Sequence, residues 1–422
     1  MCRLIASLST TDELAALFSD SSIIGAMLAF EAALARAQER LGLIPAGVAE
    51  AIAKAEGFDS ATLALEARES ASVAIPFVKA LTANVGAATL VHWGATSQDL
   101  IDTALVLLLG RARDILARDH ARLERRLRAL SGEHASTVML ARTVLQPAPP
   151  TTFGYKAAGW FGAIHRSWRR LTESFQDACM LQFGGAAGTL ASYGDRGPAL
   201  AAELGKELGL AVPDAPWHAH RDRMAALVAD CGIYTGSLAK IARDVTLLMQ
   251  HEVAEASERG GGSSAMPHKR NPAGSAVALA AAGRVPGLVA AYLGGMAQEH
   301  ERAAGAWQAE WQTVADVVQA TGSALAAVVE VMDGLTVDEG RMRANLAATR
   351  GAVFSEKAAM LLAASVGRDK AKTLVAEALR APSLRDGLAG LLTPEQLEKL
   401  EAPEDYLGSA EVFRRQLLKT EE

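Results

Sequence analysis

A chain of 422 residues exceeds one ordinary hydrophobic core, so two or three structural units are expected. Half of its residues are hydrophobic but only 5% are aromatic, with alanine and leucine dominant, which favours helix over sheet. A net charge of −6 without any Lys/Arg-rich run argues against a nucleic-acid footprint, and Cys2, Cys179 and Cys231 are too few and too scattered for a disulfide framework or a zinc site.

Residues 12–90 read as short helices joined by Gly/Pro turns. Within them 22–41 repeats Ile24, Leu28, Ala32 and Ala35 on one face and stops at Gly42 and Pro45. The run His92-Trp93-Gly94-Ala95-Thr96-Ser97-Gln98-Asp99 then packs ligand-capable groups between apolar flanks. A long helix is expected from Asp102, capped there with Thr103, because Leu105, Leu109, Ala112, Leu116, Leu123, Leu127 and Leu130 recur at mostly three and four. Pro147, Pro149 and Pro150 break the pattern over 146–153. A second helix is expected over 152–181, followed by the connection Gly184-Gly185-Ala186-Ala187-Gly188. A third, carrying Leu227, Cys231, Leu238, Ile241, Val245 and Leu248, should span 223–258, roughly 50 Å at 1.5 Å per residue. Further helices follow at 272–301 and 305–333, then short helices and a charged tail. Arg111 and Arg113 interrupt what reads as the longest apolar candidate, short of the ~18 residues of a membrane span. The N-terminus lacks a basic region followed by an apolar core, so a cytoplasmic protein is expected.

Long helices with short links predict an all-α fold built on a central long-helix bundle, and helix flanks apolar on several faces predict burial against other copies. The expected division is an N-terminal helical domain over 1–102, a central bundle over 103–335 with a special loop at 260–272, and a C-terminal helical domain over 336–422.

Two stretches carry chemistry. Thr96 and Ser97 offer hydroxyls and backbone donors ahead of a helix, which suits a carboxylate; the same residue types are also ordinary helix caps. In 260–272, three glycines allow close backbone approach to a ligand. Ser263, Ser264, Lys269, Asn271 and free N–H groups before a helix opened by Pro272 make an anion cradle.

The string Gly262-Ser263-Ser264-Ala265-Met266-Pro267-His268-Lys269-Arg270-Asn271-Pro272 resembles the signature of the fumarase/aspartase superfamily, Gly-Ser-Ser-x-Met-Pro-x-Lys-x-Asn-Pro. Segments 92–103 and 141–154 are similar to that superfamily's other active-site regions, and Tyr406-Leu407-Gly408-Ser409-Ala410 resembles the tail of its adenylosuccinate lyase branch. The resemblance implies a three-domain fold and a homotetramer whose active sites are shared between subunits. It also implies a small polycarboxylate substrate and no cofactor; the dispersed histidines give no support for a metal, and charge and hydropathy none for nucleic acid or a membrane. By the same resemblance Ser263, Lys269 and His92 are catalytic, while Thr96, Ser97, Gln146, Ser264, Met266, Asn271 and Arg302 bind substrate. Ser263 would be the proton-transferring base, which requires a stabilised alkoxide; backbone N–H groups and Lys269 can provide that. His268 reads as loop structure.

One position departs from the pattern. Lyases of the adenylosuccinate type read Thr-His, a residue, then Gln, with that histidine the general acid; this chain reads Thr143-Val144-Leu145-Gln146. Val144 cannot transfer a proton. A general acid matters for basic leaving groups, whereas a carboxylate departs as a stable anion whose acid has a pKa of about 4. The runs 28–35 and 301–311 resemble the superfamily's lactonizing, cycloisomerase branch, which adds a carboxylate to a double bond within one molecule. The alternative is an adenylosuccinate-lyase-like eliminase releasing fumarate, with its proton from elsewhere, His92 included. Intact Ser263, Lys269 and Asn271 argue against a catalytically silent scaffold.

Overall fold

A computed structural model describes residues 3–86 and 90–419; Cys2 lies outside them. The elements that position the site are α1 (Asp20–Arg40), α2 (Ser97–Glu133), β1 (Val138–Thr143), β2 (Gln146–Thr152), α3 (Phe153–Ala178), α4 (Asp222–Leu248), β3 (Ala256–Ser257), α5 (Ala273–Gly294), α6 (Ala306–Gly334) and β4 (Thr336–Val337). The expected helical class holds. The chain divides into two units, Met1–His120, Ser167–Gly236 and Val277–Ala326 forming the first, and Ala121–Arg166, Ser237–Ala276 and Ala327–Glu422 the second.

In the first unit the helical period does what the sequence asks. Leu109, Ala112 and Leu116 of α2, Leu227, Cys231 and Tyr234 of α4, and Val314 and Val317 of α6 are fully buried. Each such leucine contributes about 1.5–3 kcal/mol by leaving water. Between the helices His120 stacks on Trp168 with centroids 4.3 Å apart, and its Nδ1 lies 3.0 Å from the Tyr234 hydroxyl. α1 is tied to the helix Gly197–Leu208 by Arg36, 2.6 Å from Glu207.

α2 begins at Ser97, not at Asp102. Thr96 stands at the cap, and the Asp99 carboxylate reaches back to its N–H at 3.0 Å, so the helix is closed one turn earlier than the apolar repeat indicates. Asp102 and Thr103 are buried inside it.

In the second unit the proline-rich break is a strand. β2 pairs antiparallel with β1, from Val138 opposite Thr152 to Thr143 opposite Gln146. A two-stranded ribbon leaves each strand an unpaired edge, where a residue without N–H is tolerated. α4 ends at Leu248 rather than near 258: Ala254 takes φ +50, and the chain then runs into β3, which pairs with β4. The 27 residues of α4 therefore span about 40 Å. Val138 and Leu140 join Leu346, Phe354, Leu362, Val375 and Leu400 in the core that the C-terminal helices share.

Among the described residues two helices are long and apolar enough to cross a membrane by length and composition, which the reading around Arg111 and Arg113 overlooked. α6 is mostly inside the chain, with 78% of its apolar window buried; α5, with a mean hydropathy of 1.6, has only 28% buried.

Candidate active site

The turn before α2 is pinned from beneath. Gly94 sits at φ +72, and a Cβ there would fall 2.4 Å from the Tyr193 ring and hydroxyl, so no other residue fits. The Trp93 carbonyl accepts from Gln38 Nε2 at 2.9 Å and from the Tyr193 hydroxyl. Asp99 Oδ1 accepts from Gly184 N at 2.9 Å and lies 2.7 Å from His218 Nε2; Oδ2 accepts from Gly185 N at 2.9 Å besides Thr96 N. The glycine connection is thereby locked to the helix start. Thr96 and Ser97 stand half-buried at the top, their hydroxyls without a partner among the described residues.

Below them lies a buried set of charges. Arg221 Nη1 donates to Asp102 Oδ2 at 2.7 Å, and Arg221 Nη2 to Glu310 Oε2 at 2.6 Å. Trp307 Nε1 donates to Asp102 Oδ1 at 2.9 Å, while Gln298 and the Tyr292 hydroxyl donate to Glu310 at 2.6 and 3.1 Å. Burial pushes the Glu310 pKa up, against the pull of Arg221. Burial opposes the Arg221 charge too, but Asp102 and Glu310 outweigh it and raise its pKa. Trp307 is therefore part of this set.

Gln98 connects the charges to the rim. Its Nε2 donates to the His218 carbonyl at 2.8 Å and its Oε1 accepts from Arg302 Nε at 3.0 Å. Arg302 Nη2 reaches the Ala186 carbonyl at 3.2 Å. Two of that guanidinium's nitrogens thus brace the glycine connection and Gln98.

The sequence reading missed Glu31, Asp102, His218, Arg221 and Glu310. The signal was there for three of them: Glu31, Asp102 and Glu310 are carboxylates inside apolar helical stretches, where burial without a partner is too costly to persist.

His92 stands at φ +57 with Nδ1 2.5 Å from Glu31 Oε1. Burial disfavours its charged form, but the Glu31 charge and hydrogen bond, helped by Asp99, prevail and hold its pKa above the ordinary imidazole value.

The signature loop is built differently. Gly262 bridges to Arg270, and Asn271 N donates to the Gly261 carbonyl at 2.6 Å, closing the loop at its neck. Gly261, at φ +70, admits no Cβ: one would lie 1.8 Å from the Asn271 carbonyl oxygen. Ser263 Oγ accepts from Met266 N at 3.1 Å and from Ala265 N at 3.3 Å. Ser264, Met266, His268 and Lys269 are exposed, and the side chains of Ser264, His268, Lys269 and Asn271 have no partner among the described residues. The helix start expected to receive an anion is already filled. Glu258 accepts from Gly274 N at 2.7 Å, Ser275 N at 3.2 Å and the Ser275 hydroxyl at 2.7 Å, capping α5.

At the hairpin, Arg142 is held by Glu255 at 2.7 and 2.9 Å, and Asn345 donates to the same carboxylate at 2.8 Å. From that base the tip projects: Val144 and Leu145 are 94% and 76% exposed, at φ +50 and +64. Tight hairpin turns of this kind favour Asn-Gly; a β-branched residue there is an outlier. Gln146 beside them is exposed without a side-chain partner among the described residues.

Cavity size does not mark the site. An opening of about 860 Å³ in the first unit is lined by residues such as Ile23, Met27, Ile101, Leu105, Leu108 and Trp311, and touches none of the expected site residues. Among the described residues no group of three or more His, Cys, Asp or Glu is placed to hold a metal ion.

A mostly helical chain with a Gly-Ser-Ser loop ahead of one long helix and a hydroxyl pair at the start of another has the plan of a lyase. The lyase family profile matches residues 7–287, and the chain belongs to that family. It is 45% identical to a 3-carboxy-cis,cis-muconate cycloisomerase of Bradyrhizobium diazoefficiens, over 98% of this chain and 97% of that one. A nitrosuccinate lyase of Streptomyces davaonensis is 41% identical over 93% and 89% of the two chains. The crystal structure of the 3-carboxy-cis,cis-muconate lactonizing enzyme from Pseudomonas putida superimposes with a TM-score of 0.94 at 40% identity, covering 99% of this chain and 98% of that one.

Proposed function

We propose that the protein is a 3-carboxy-cis,cis-muconate cycloisomerase, which closes its substrate to 4-carboxymuconolactone by adding one carboxylate across a double bond, without a cofactor. Val144 carries the reading: at the hairpin position where adenylosuccinate-type lyases keep their acid, this chain presents a valine that cannot donate a proton. The similarity to the Bradyrhizobium and Pseudomonas proteins over nearly their whole lengths supports it.

The chemistry follows from the residues. Thr96 and Ser97 hold one substrate carboxylate at the positive end of α2. A second carboxylate attacks the double bond, and negative charge builds on the neighbouring carbon and its attached carboxylate. Lys269 and Asn271 stabilise that charge, and Ser263 delivers the proton to carbon. The serine is then an alkoxide, which its two backbone N–H donors and Lys269 stabilise until it is reprotonated. Gln146, Ser264, Met266 and Arg302 complete the pocket, Arg302 by bracing the glycine connection.

The assembly belongs to the same proposal. A homotetramer in the cytoplasm, with each site drawn from several chains, is supported by the mostly unburied apolar α5 and by the exposed, strained hairpin tip. The division at about residues 102 and 335 is supported at its C-terminal side by the core that the last helices build, although Val138 and Leu140 of β1 join it.

A second reading is elimination from nitrosuccinate, favoured by the Streptomyces relative and equally free of a need for an acid, since nitrite is a weakly basic leaving group. The test is one panel of assays on purified protein. With 3-carboxymuconate, ultraviolet absorbance of the conjugated diene should fall as lactone forms. Turnover of nitrosuccinate alone would transfer the assignment to the second reading. Adenylosuccinate cleavage at roughly 1 s⁻¹ or faster would revive the eliminase alternative, with an acid elsewhere.

A further inference from the structure

α1 reads Leu28-Ala29-Phe30-Glu31-Ala32-Ala33-Leu34-Ala35, and every residue from Phe30 to Ala35 is buried, Glu31 at 1% exposure. Nothing about packing calls for a carboxylate there. Taking one out of water costs several kcal/mol unless partners offset it. Its Oε1 has one, His92 Nδ1 at 2.5 Å; its Oε2 is buried without a hydrogen bond. The histidine carries a cost of its own, since φ +57 is a left-handed conformation that costs a residue with a Cβ about 1–2 kcal/mol. An under-bonded carboxylate and a strained backbone thus converge on a single contact, and local rules broken together point to function.

The contact also dictates what the ring can offer. With Nδ1 turned to Glu31, Nε2 is its one remaining polar atom; it has no partner among the described residues, and 16% of the side chain reaches the surface. His92 stands in the turn that leads to Thr96, Ala95 N donating to its carbonyl at 3.3 Å.

We propose that Glu31 is a positioning residue that fixes His92 so that Nε2–H faces a substrate carboxylate beside the Thr96 and Ser97 hydroxyls. This rests on the reading of that helix start as a carboxylate site. It makes His92 a cationic anchor rather than the missing acid. The charged and titratable neighbours agree: Glu31 from α1 and Asp99 from α2 both favour the imidazolium. Tyr193 below the turn is a neutral phenol whose pKa burial raises, and His218 shares Asp99. Because the folded state raises the His92 pKa, its contribution to stability is full below the ordinary imidazole value of about 6.5 and is lost as pH rises through the folded value.

The test uses the full-length protein with [13Cε1]-histidine, the His92 signal being assigned by its absence in His92→Gln. In Glu31→Gln the His92 midpoint should drop by about one unit or more, and the melting advantage of wild type over that variant should shrink as pH climbs. For 3-carboxymuconate, KM should rise about tenfold with a smaller change in kcat, a loss of ground-state binding, and Glu31→Asp should recover part of it. An unmoved midpoint overturns the pairing. A lowered midpoint with unchanged KM overturns the substrate role. Should Glu31→Gln fail to fold, wild-type KM must rise as pH passes the His92 midpoint, and a flat KM overturns the proposal. The titration needs no substrate, so it stands apart from whether wild type turns over muconate.

Discussion

The start of α2 and the signature loop are both made of polar residues, yet they are built on opposite principles. Beneath Thr96 and Ser97, Asp99, Asp102, Arg221 and Glu310 are buried and bonded to one another and to backbone groups of their own unit. Around Ser263 the backbone is closed by a bridge and a glycine neck, but the side chains of Lys269 and Asn271 have no partner among the described residues. One region is preorganised by bonds within its own unit. The other holds its serine ready and leaves the rest of its chemistry unanswered. Preorganised donors aimed at a developing charge are worth most where water is excluded, so an exposed loop would gain most from being covered in the proposed assembly.

The largest expected effect breaks the contrast at the loop. Ser263→Ala should lower lactonization by about 10³-fold or more while the circular dichroism melt stays put, because the hydroxyl accepts only two local N–H bonds and supports no core. Activity within tenfold of wild type would remove Ser263 as the proton donor. Arg221→Met attacks the other region and should show the reverse pattern. It leaves two buried carboxylates facing each other, so stability should fall by about 3–5 kcal/mol in denaturant titration; a loss below about 1 kcal/mol would mean the network is not the foundation of this region.

Lys269→Met comes next. In its proposed role the cation serves both the bound carboxylate and the charge that develops later, so KM should rise and kcat fall together, with kcat/KM down about 10²-fold and the melt unaltered. Steady-state kinetics showing an unchanged ratio would take Lys269 out of the site. Val144→His has the smallest expected effect. Its side chain is at an exposed hairpin tip, so stability should hold within about 0.5 kcal/mol, and lactonization should not improve. A severalfold faster variant would show that the reaction wants an acid there after all.

Legibility differed between the regions for a physical reason. The signature loop is a contiguous string whose glycines, serines, lysine and prolines each have a local cause, so it could be read without a fold. The helical periods of Leu109, Leu116, Leu123 and of Leu227, Leu238, Ile241 were equally local and met the observed helices. Boundaries were not: α2 starts five residues early because Asp99 reaches back to cap it, and α4 stops ten residues short because β3 pairs with a strand about eighty positions later. The prolines of β2 read as a break because a pairing partner, not a period, makes them a strand.

Taken by itself, the sequence determined the helical class, the family, the signature loop as a string and the presence of valine at 144, since each is carried by the chain's own local pattern. Only the tertiary structure decided which charges stand behind the site. Arg221 meets Asp102 and Glu310 across 119 and 89 positions, and His92 meets Glu31 across 61. Ion pairs of that span leave no periodic trace in a chain; they exist because a carboxylate forced into an apolar interior by its neighbours must find a cation there or not be buried at all.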